Sequence, residues 1–238
     1  MMNEIRLENI VLLNSVYEHI NSNMYVLIAE KEAIIIDPHK NIELTELLKS
    51  KEIRRVTILL THEHHDHTTG IYWYMENFTS TLICQENAAK TMSNIKYLRP
   101  TLISFILGEE DHTNGTHRYD EFKKIYKPHQ YTADTTYTDY YTLKWHSHTF
   151  KFHHTPGHSP GSCIIILDGQ YAFTGDSLLK DLPIIIRFPG SNKEEYINST
   201  LPLLNQLLKS DMTILPGHGK PFTLNEIMKN NQIHVQLR

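Results

Sequence analysis

One short stretch of the chain reads Thr61-His62-Glu63-His64-His65-Asp66-His67-Thr68-Thr69-Gly70. It follows an apolar run at residues 56–60, which is typical of a buried strand. Imidazoles and a carboxylate gain little from crowding together unless they share a cation. The stretch therefore predicts a site for a first-row divalent metal, with the candidate ligands His62, His64, Asp66 and His67.

Three further motifs carry candidate ligands, and each of them follows a strand-like run. They read TPGHSPGS at residues 155–162, TGDS at residues 174–177 and PGHG at residues 216–219. A glycine beside each candidate lets the backbone turn sharply and approach an ion closely. These motifs add His158, Asp176 and His218 as candidate ligands.

The ligand types and their number indicate which metals the site would hold. Imidazole and carboxylate suit zinc, iron or manganese. The two cysteines, Cys84 and Cys163, lie far apart in the sequence, which argues against a structural thiolate site, and Cys163 is expected to be a buried thiol. Seven ligands exceed the needs of one tetrahedral ion, so we expect two divalent ions, with zinc as first choice and iron or manganese open.

Short apolar runs separated by turns and helical patterns predict an α/β fold. Strands are expected at residues 10–13, 25–29, 33–36, 56–60, 142–144, 149–153, 163–167, 171–174 and 212–215. Helices are expected at residues 42–50, 200–208 and 224–229, the second with Pro202 in its first turn. Residues 85–130 are more polar and predict a helical insert, with a helix at 86–97 and a loose segment at 108–117.

Length and charge limit the possible functions. A chain of 238 residues can build one large core, and we expect residues 1–238 to form a single domain. The formal net charge of −4 offers no basic field for nucleic acid. No run has the length of a signal peptide core or a membrane span. We therefore expect a cytoplasmic protein that acts on a small molecule without nucleic acid or membrane, while its oligomeric state stays open.

The four motifs, in this order, resemble the metallo-β-lactamase-fold hydrolase superfamily, and most closely its glyoxalase II-like branch. The resemblance spans residues 20–220 and includes the sequence IIIDP at residues 34–38, which is similar to an early strand and turn of that fold. It implies a four-layer αββα metallo-β-lactamase-type sandwich with a helical insert around residues 85–130. The site would then lie at one edge, between the two sheets.

The resemblance also implies how the ligands divide between two ions. The first ion would be held by His62, His64 and His158, and the second by Asp66, His67 and His218. Asp176 would bridge the two ions. A water held by such ions loses a proton near pH 7 and attacks a carbonyl, while Asp66 orients it as the catalytic residue and passes a proton to the leaving group. Asp37 and Thr61 are candidates for fixing the imidazole tautomers, with a structural role equally possible.

The leading functional hypothesis is hydrolysis of a small thioester or lactone. Glyoxalase II proteins carry a C-terminal helical domain that binds glutathione, whereas this sequence continues for only 20 residues after His218, so residues 85–130 are expected to shape the pocket. Sulfur oxidation with one iron, as in persulfide dioxygenases, and phosphodiester hydrolysis remain alternatives. The spacer His65 is expected beside the site or exposed, and His39 in a solvent-facing turn, with a place at the mouth of the site as the alternative.

Overall fold

The computed structural model describes residues 2–7, 10–94, 101–125, 128–229 and 232–238. In these residues the strands form a seven-stranded, a six-stranded and a small two-stranded sheet. The two large sheets pack face to face around a shared apolar core. None of the helices in the described ranges has the length and apolar character needed to cross a membrane.

In the first sheet, the order of neighbouring strands is the same as their order in the sequence. They are β1 (Met2–Leu7), β2 (Ile10–Tyr17), β3 (Ser22–Ala29), β4 (Glu32–Ile36), β5 (Arg55–Leu59), β6 (Thr79–Gln85) and β7 (Thr135–Tyr137). The pairs from β1 to β4 are antiparallel and those from β4 to β7 are parallel. Helices α1 (Ile42–Ser50) and α3 (Ile71–Asn77) make the crossovers that parallel pairs require.

The second sheet has the order β13-β12-β11-β10-β9-β8. Its strands are β8 (Tyr140–Trp145), β9 (His148–His154), β10 (Cys163–Leu167), β11 (Tyr171–Gly175), β12 (Thr213–Pro216) and β13 (Phe222–Thr223). All neighbours pair antiparallel except β11 and β12, which are parallel. The chain between these two strands forms α7 (Lys193–Glu195), a π-helical turn (Tyr196–Thr200) and α8 (Leu201–Leu207).

Three apolar clusters define the layers. Leu27 and Ile34 of the first sheet meet Phe152 and Ile165 of the second in the central core. Side chains of α1, α3 and α4 (Glu86–Met92) pack on the outer face of the first sheet. Leu204 of α8 packs on the outer face of the second sheet. The four-layer αββα architecture is thus confirmed, and Cys84 and Cys163 are both buried.

The helical insert is also confirmed, but its loose segment is not. Helix α5 (Thr101–Asn114) continues through most of the predicted loop at residues 108–117, and α6 (Arg118–Ile125) follows it. Buried Leu107 packs against buried Phe122, so tertiary packing outweighs the poor helix propensity of the glycine and polar residues. Asp111 stabilises the turn by accepting hydrogen bonds from the backbone of Arg118 and Tyr119, both at 2.9 Å.

Helix α4 ends at Met92 with Ser93 as its C-cap, earlier than the predicted helix at residues 86–97, of which residues 95–97 lie outside the described residues. The predicted helix at residues 200–208 is confirmed as α8 (Leu201–Leu207), with Pro202 in its first turn, but further helical turns precede it. The helical segment begins at Lys193, where Asn192 accepts a hydrogen bond from the Glu195 backbone at 3.0 Å. Pro202 therefore lies inside it, directly after the π-helical turn. The wider turn accommodates a residue that lacks an N–H and whose ring crowds the preceding turn.

The predicted helix at residues 224–229 was wrong in type and in length. A 3₁₀ turn (Leu224–Ile227) leads into β14 (Met228–Lys229), which pairs with β15 (Gln232–Ile233). Glu226 closes the turn by accepting a hydrogen bond from the Thr223 backbone at 2.7 Å. Ile233 of the extended segment is buried in the apolar cluster around α8.

Candidate metal centre

The structure brings all seven candidate ligands together at one edge of the two sheets. Residues 62–67 follow β5 and include the short helix α2 (His65–Thr68). Asp176 follows β11, His218 follows β12, and His158 lies on the loop between β9 and β10. Loops at strand ends are a common place for chemistry because the rigid sheet positions them.

The seven side chains form two neighbouring groups. In the first cluster, which comprises His62, His64 and His158, the ligand atoms lie within 4.8 Å of one another. In the second cluster, which comprises Asp66, His67 and His218, the same limit holds. The ring centroids of His62 and His67 are 4.2 Å apart, so the two clusters are adjacent.

Asp176 lies between the clusters. Its Oδ2 is 3.6 Å from His158 Nε2 and 3.5 Å from His218 Nε2, and its Oδ1 is 3.7 Å from His67 Nε2. The space around it is tight, because a Cβ at Gly217 would sit 2.3 Å from Asp176 Oδ1. One carboxylate that reaches histidines of both clusters has the position required of a bridging ligand.

Asp37 and Thr61 orient two of the imidazoles. Asp37 Oδ2 lies 3.0 Å from His67 Nδ1 and accepts a hydrogen bond from the Thr61 hydroxyl at 2.6 Å. Because the Thr61 hydroxyl donates to Asp37, its oxygen is left to accept from His62 Nδ1 at 3.1 Å. Both rings therefore carry their proton on Nδ1 and turn Nε2 toward the clusters.

Two backbone carbonyls do the same for His158 and His218. His158 Nδ1 donates to Ile185 O at 2.8 Å, and His218 Nδ1 donates to Asn21 O at 3.1 Å. Asp37 itself lies within 4.8 Å of His62 and His67. It is nevertheless an orienting group and not a candidate ligand, because both its oxygens already accept hydrogen bonds from Thr61 or His67.

The inner atoms of the site fit divalent metal ions. Within the described part of the chain, His62 Nε2, His67 Nε2 and Asp176 Oδ1 are buried and have no hydrogen-bond partner. Buried polar atoms without a partner are rare, because desolvation is costly. Five imidazoles and two carboxylates aimed at one small volume are suited to two divalent cations.

The two clusters differ in their electrostatics. Burial and the neighbouring imidazoles hold the pKa of His62 and His64 well below its usual range, and burial lowers the pKa of His158. Burial also acts to lower the pKa of His67, but the carboxylates of Asp66 and Asp37 raise it well above its usual range. The first cluster is thus neutral, which is the form of imidazole that binds metals.

The second cluster contains an ionised carboxylate. Burial acts to raise the pKa of Asp66, but His67 and His218 hold that pKa well below its usual range. For His218, the carboxylates of Asp176 and Asp66 outweigh burial and raise the pKa. A divalent cation in this cluster would replace protons that the carboxylates otherwise hold on the imidazoles.

The second cluster is also anchored to the core strand β3. The Ser22 hydroxyl donates to Asp66 O at 2.8 Å, the Asn23 backbone donates to Gly217 O at 2.7 Å, and the Tyr25 hydroxyl donates to Pro216 O at 2.9 Å. The backbone on both sides of the cluster is therefore fixed by a buried strand.

His65 lies beside the site, as expected: it is buried and lines the cavity but belongs to neither cluster. His39 is buried instead of solvent-facing, with its ring stacked on Tyr17 at 5.2 Å. The reason is Gly70, where a Cβ would lie 2.5 Å from the His39 backbone, so the turn is pressed against the start of α3. Glu63, which stands between the candidate ligands His62 and His64 in the sequence, is buried and hydrogen-bonded.

A cavity of about 1030 Å³ opens beside the clusters and is lined by Asp66, Asp176 and His218. One wall is apolar and includes Leu182, Ile185 and Phe188. The opposite wall comes from α5 and includes Glu109, His112 and Asn114. Arg187 Nη2 joins the two walls through an ion pair with Glu109 Oε2 at 2.8 Å. The insert thus shapes the pocket, as the sequence predicts.

Known proteins share this chain's sequence and fold. The profile of the metallo-beta-lactamase superfamily matches residues 18–218. A probable metallo-hydrolase of Streptococcus pyogenes serotype M6 is 26% identical over 220 residues, which cover 90% of this chain and 87% of the relative. A hydroxyacylglutathione hydrolase of Glaesserella parasuis is 35% identical over 75 residues, which cover 31% of this chain and 32% of the relative.

Among solved structures, the crystal structure of the BLEG-1 B3 metallo-beta-lactamase superposes with a TM-score of 0.65 at 25% identity. The superposition covers 97% of this chain and 98% of that structure. The family profile covers most of the chain, and the ligand clusters lie inside the matched range. The chain therefore belongs to the metallo-beta-lactamase superfamily of metal-dependent hydrolases.

Proposed function

We propose that the protein is a two-metal hydrolase that cleaves the acyl bond of a small thioester or lactone. The observation that carries this proposal is the position of Asp176 between two complete ligand clusters at the end of one cavity. The residues that would hold the ions are His62, His64 and His158 for the first, and Asp66, His67 and His218 for the second, with Asp176 shared.

Two divalent ions held by these residues would supply Lewis-acid chemistry, lowering the pKa of a water toward about 7 and polarising a substrate carbonyl. Asp66 is the residue placed to move protons. Its carboxylate contacts His67 and His218, and it also lines the cavity, where a substrate would lie. It can therefore orient the attacking water and carry its proton to the leaving sulfur or oxygen.

A thiol nucleophile is not part of the proposal. Cys84 and Cys163 are both buried, and burial raises the pKa of Cys84 to about 12. A thiol in this state is a poor nucleophile at neutral pH, because the thiolate is the reactive form. We therefore expect water to attack the substrate directly, with Asp66 as the proton carrier. No acyl-enzyme would form.

The cavity supports a substrate larger than a simple lactone. Its volume of about 1030 Å³ is at the upper end of the range that holds drug-sized ligands. The apolar wall around Leu182 and Phe188 suits an acyl chain, and the polar face of α5 suits a hydrophilic leaving group. The match to a hydroxyacylglutathione hydrolase supports a thioester as the first substrate to test.

A substrate panel tests the proposal. The protein would be loaded separately with zinc, iron and manganese and assayed with thioesters, lactones, phosphodiesters and persulfides. We expect hydrolysis of a thioester or lactone, and its loss in the Asp66→Ala and His158→Ala variants. Phosphodiester cleavage alone, or oxygen consumption with a persulfide by the iron form alone, would replace the proposal with one of the two alternatives.

A further inference from the structure

Glu63 is the residue between the first two histidines of the motif, and its side chain points away from the metal clusters. Neighbouring side chains of an extended segment point to opposite sides, and His64 has extended backbone angles (φ −65°, ψ 149°). His62 and His64 face the first cluster. Glu63 lies on the other side, beneath the loop of residues 155–162 that carries His158.

Two hydrogen bonds join Glu63 to this loop. Glu63 Oε2 accepts from the Ser159 hydroxyl at 2.9 Å, and Glu63 Oε1 accepts from the Gly161 backbone at 3.3 Å. The loop is pressed closely onto the carboxylate, since a Cβ at Gly161 would lie 2.5 Å from Glu63 Oε2 and 2.5 Å from the Ala88 backbone nitrogen. The Glu63 carboxylate is therefore packed tightly against the backbone of this loop.

Stability alone does not explain a carboxylate here. Glu63 is only 6% exposed, and burying a carboxylate costs free energy that hydrogen bonds offset only in part. Well-packed apolar side chains often replace buried ionic groups at no cost in stability. The structure instead offers a positional reason, because the carboxylate holds two successive parts of one loop in a fixed place.

The position of this loop decides where His158 lies. Ser159, which donates to Glu63, is the next residue after His158. His158 Nδ1 donates to Ile185 O at 2.8 Å, and the Ser191 hydroxyl donates to His158 O at 2.7 Å. These two contacts come from the far side of the loop. Glu63 provides a contact from the segment that carries the other two ligands of the first cluster.

The result is a close approach within the first cluster. His158 Nε2 lies 2.9 Å from His64 Nδ1, although the two residues are 94 positions apart in the sequence. The backbone around the second cluster is fixed by β3, whereas His158 lies on a loop without regular secondary structure. The geometry of the first cluster therefore depends more strongly on direct contacts between this loop and residues 62–64.

We propose that Glu63 is a positioning residue that sets the metal affinity of the first cluster by holding the His158 loop against the segment from His62 to His64. The hydrogen bonds of Glu63, and not its charge, perform this role. The inference concerns metal binding and holds whichever substrate the enzyme cleaves.

Cobalt binding measures the affinity of each cluster directly. The full-length protein would be loaded with Co²⁺ and titrated with a chelator while the visible absorption and the metal content are followed. The variants His64→Ala and His218→Ala each remove one ligand and assign the release steps to the first and second clusters. The readout needs no substrate, so it is independent of the proposed thioester or lactone activity.

Three variants test the role of Glu63. We expect Glu63→Ala to weaken Co²⁺ binding at the first cluster by about 10–100-fold, as for other residues that orient metal ligands. Ser159→Ala removes one of the two contacts, so its Co²⁺ affinity at the first cluster should lie between those of Glu63→Ala and the wild type. Glu63→Gln should stay close to the wild type, since an amide can accept from Gly161 and donate to the Ser159 hydroxyl.

Asp134→Ala is the matched control. It removes another carboxylate that accepts a backbone hydrogen bond, from Leu82 at 2.7 Å, away from the His158 loop, and it should leave both release steps unchanged. Equal weakening of both clusters by Glu63→Ala would overturn the proposal, as would unchanged affinity. An effect of Glu63→Gln as large as that of Glu63→Ala would also overturn it. If Glu63→Ala does not fold, Ser159→Ala and Glu63→Gln decide the question by the same criteria.

Discussion

The two ligand clusters differ in both charge and anchoring. The first cluster consists of three imidazoles, and its His158 is carried by a loop. The second contains the carboxylate of Asp66, and its backbone is hydrogen-bonded to the buried strand β3. Coulomb attraction between a carboxylate and a divalent cation adds directly to binding. The second cluster is therefore built on charge and a rigid frame, and the first on the accurate placement of neutral rings.

Because of this difference, each cluster should be sensitive to a different kind of substitution. A neutral cluster depends on the groups that hold its rings, which are the Thr61 hydroxyl, the Ile185 carbonyl and Glu63. A charged cluster depends on its own carboxylate. Variants that remove charge should act on the second cluster, whereas variants that remove a neutral hydrogen bond should act on the first.

The largest effect is expected from Asp66→Asn, which keeps the size of the side chain and removes its charge. We expect kcat for the best thioester or lactone to fall by about 10²–10⁴-fold, the usual contribution of a proton-transferring group. Steady-state kinetics at saturating metal, with the metal content measured in parallel, checks this. Full recovery of kcat in excess metal would show that Asp66 acts only as a ligand.

A smaller effect is expected from Thr61→Val, which removes the hydroxyl and nearly keeps the shape. His62 then loses the acceptor at Nδ1, so we expect Co²⁺ affinity at the first cluster to fall by about tenfold. The second cluster should be unaffected, because His67 keeps its contact with Asp37. Thr61→Ser retains the hydroxyl and should match the wild type. Equal losses at both clusters would contradict the separation drawn between them.

The smallest effect is expected from Arg187→Gln, which breaks the ion pair with Glu109 across the cavity. Partly exposed ion pairs contribute roughly 0.2–1 kcal/mol, so we expect a rise of KM by a few-fold without a change in metal affinity. Arg55→Gln, which removes an exposed pair with Glu32 at 3.5 Å, is the control and should change neither quantity. A loss of metal from the Arg187 variant would show that the cavity wall supports the clusters directly.

Much of the site could be predicted from the sequence, because each ligand is marked by residues that are its neighbours in the chain. Each ligand stands in a short motif with glycine or a strand-like run beside it, and the parallel strands β4 and β5 are rich in isoleucine and valine. Chain order and strand ends then place the motifs at one edge. Asp37 and Thr61 were also candidates, and the structure places both in hydrogen bonds to the ligands His67 and His62.

The features that could not be predicted depend on contacts between distant parts of the chain. Glu63 meets Ser159 and Gly161, which are 96 and 98 positions away in the sequence. Helix α5 extends past Gly108 because Leu107 packs against Phe122. No local sequence pattern predicts that contact. His39 is buried because Gly70 allows a close backbone approach. Composition and hydrophobic periodicity do not predict such long-range contacts.

Chelator titration of the metal-loaded protein shows whether the centre holds two separate ions. Two ions per chain should be released in two steps, the first cluster giving up its ion at the lower chelator concentration because it contains no carboxylate of its own. His64→Ala should abolish the weaker step and His218→Ala the tighter one. A single ion per chain, or one release step that both variants affect equally, would contradict a centre made of two distinct clusters.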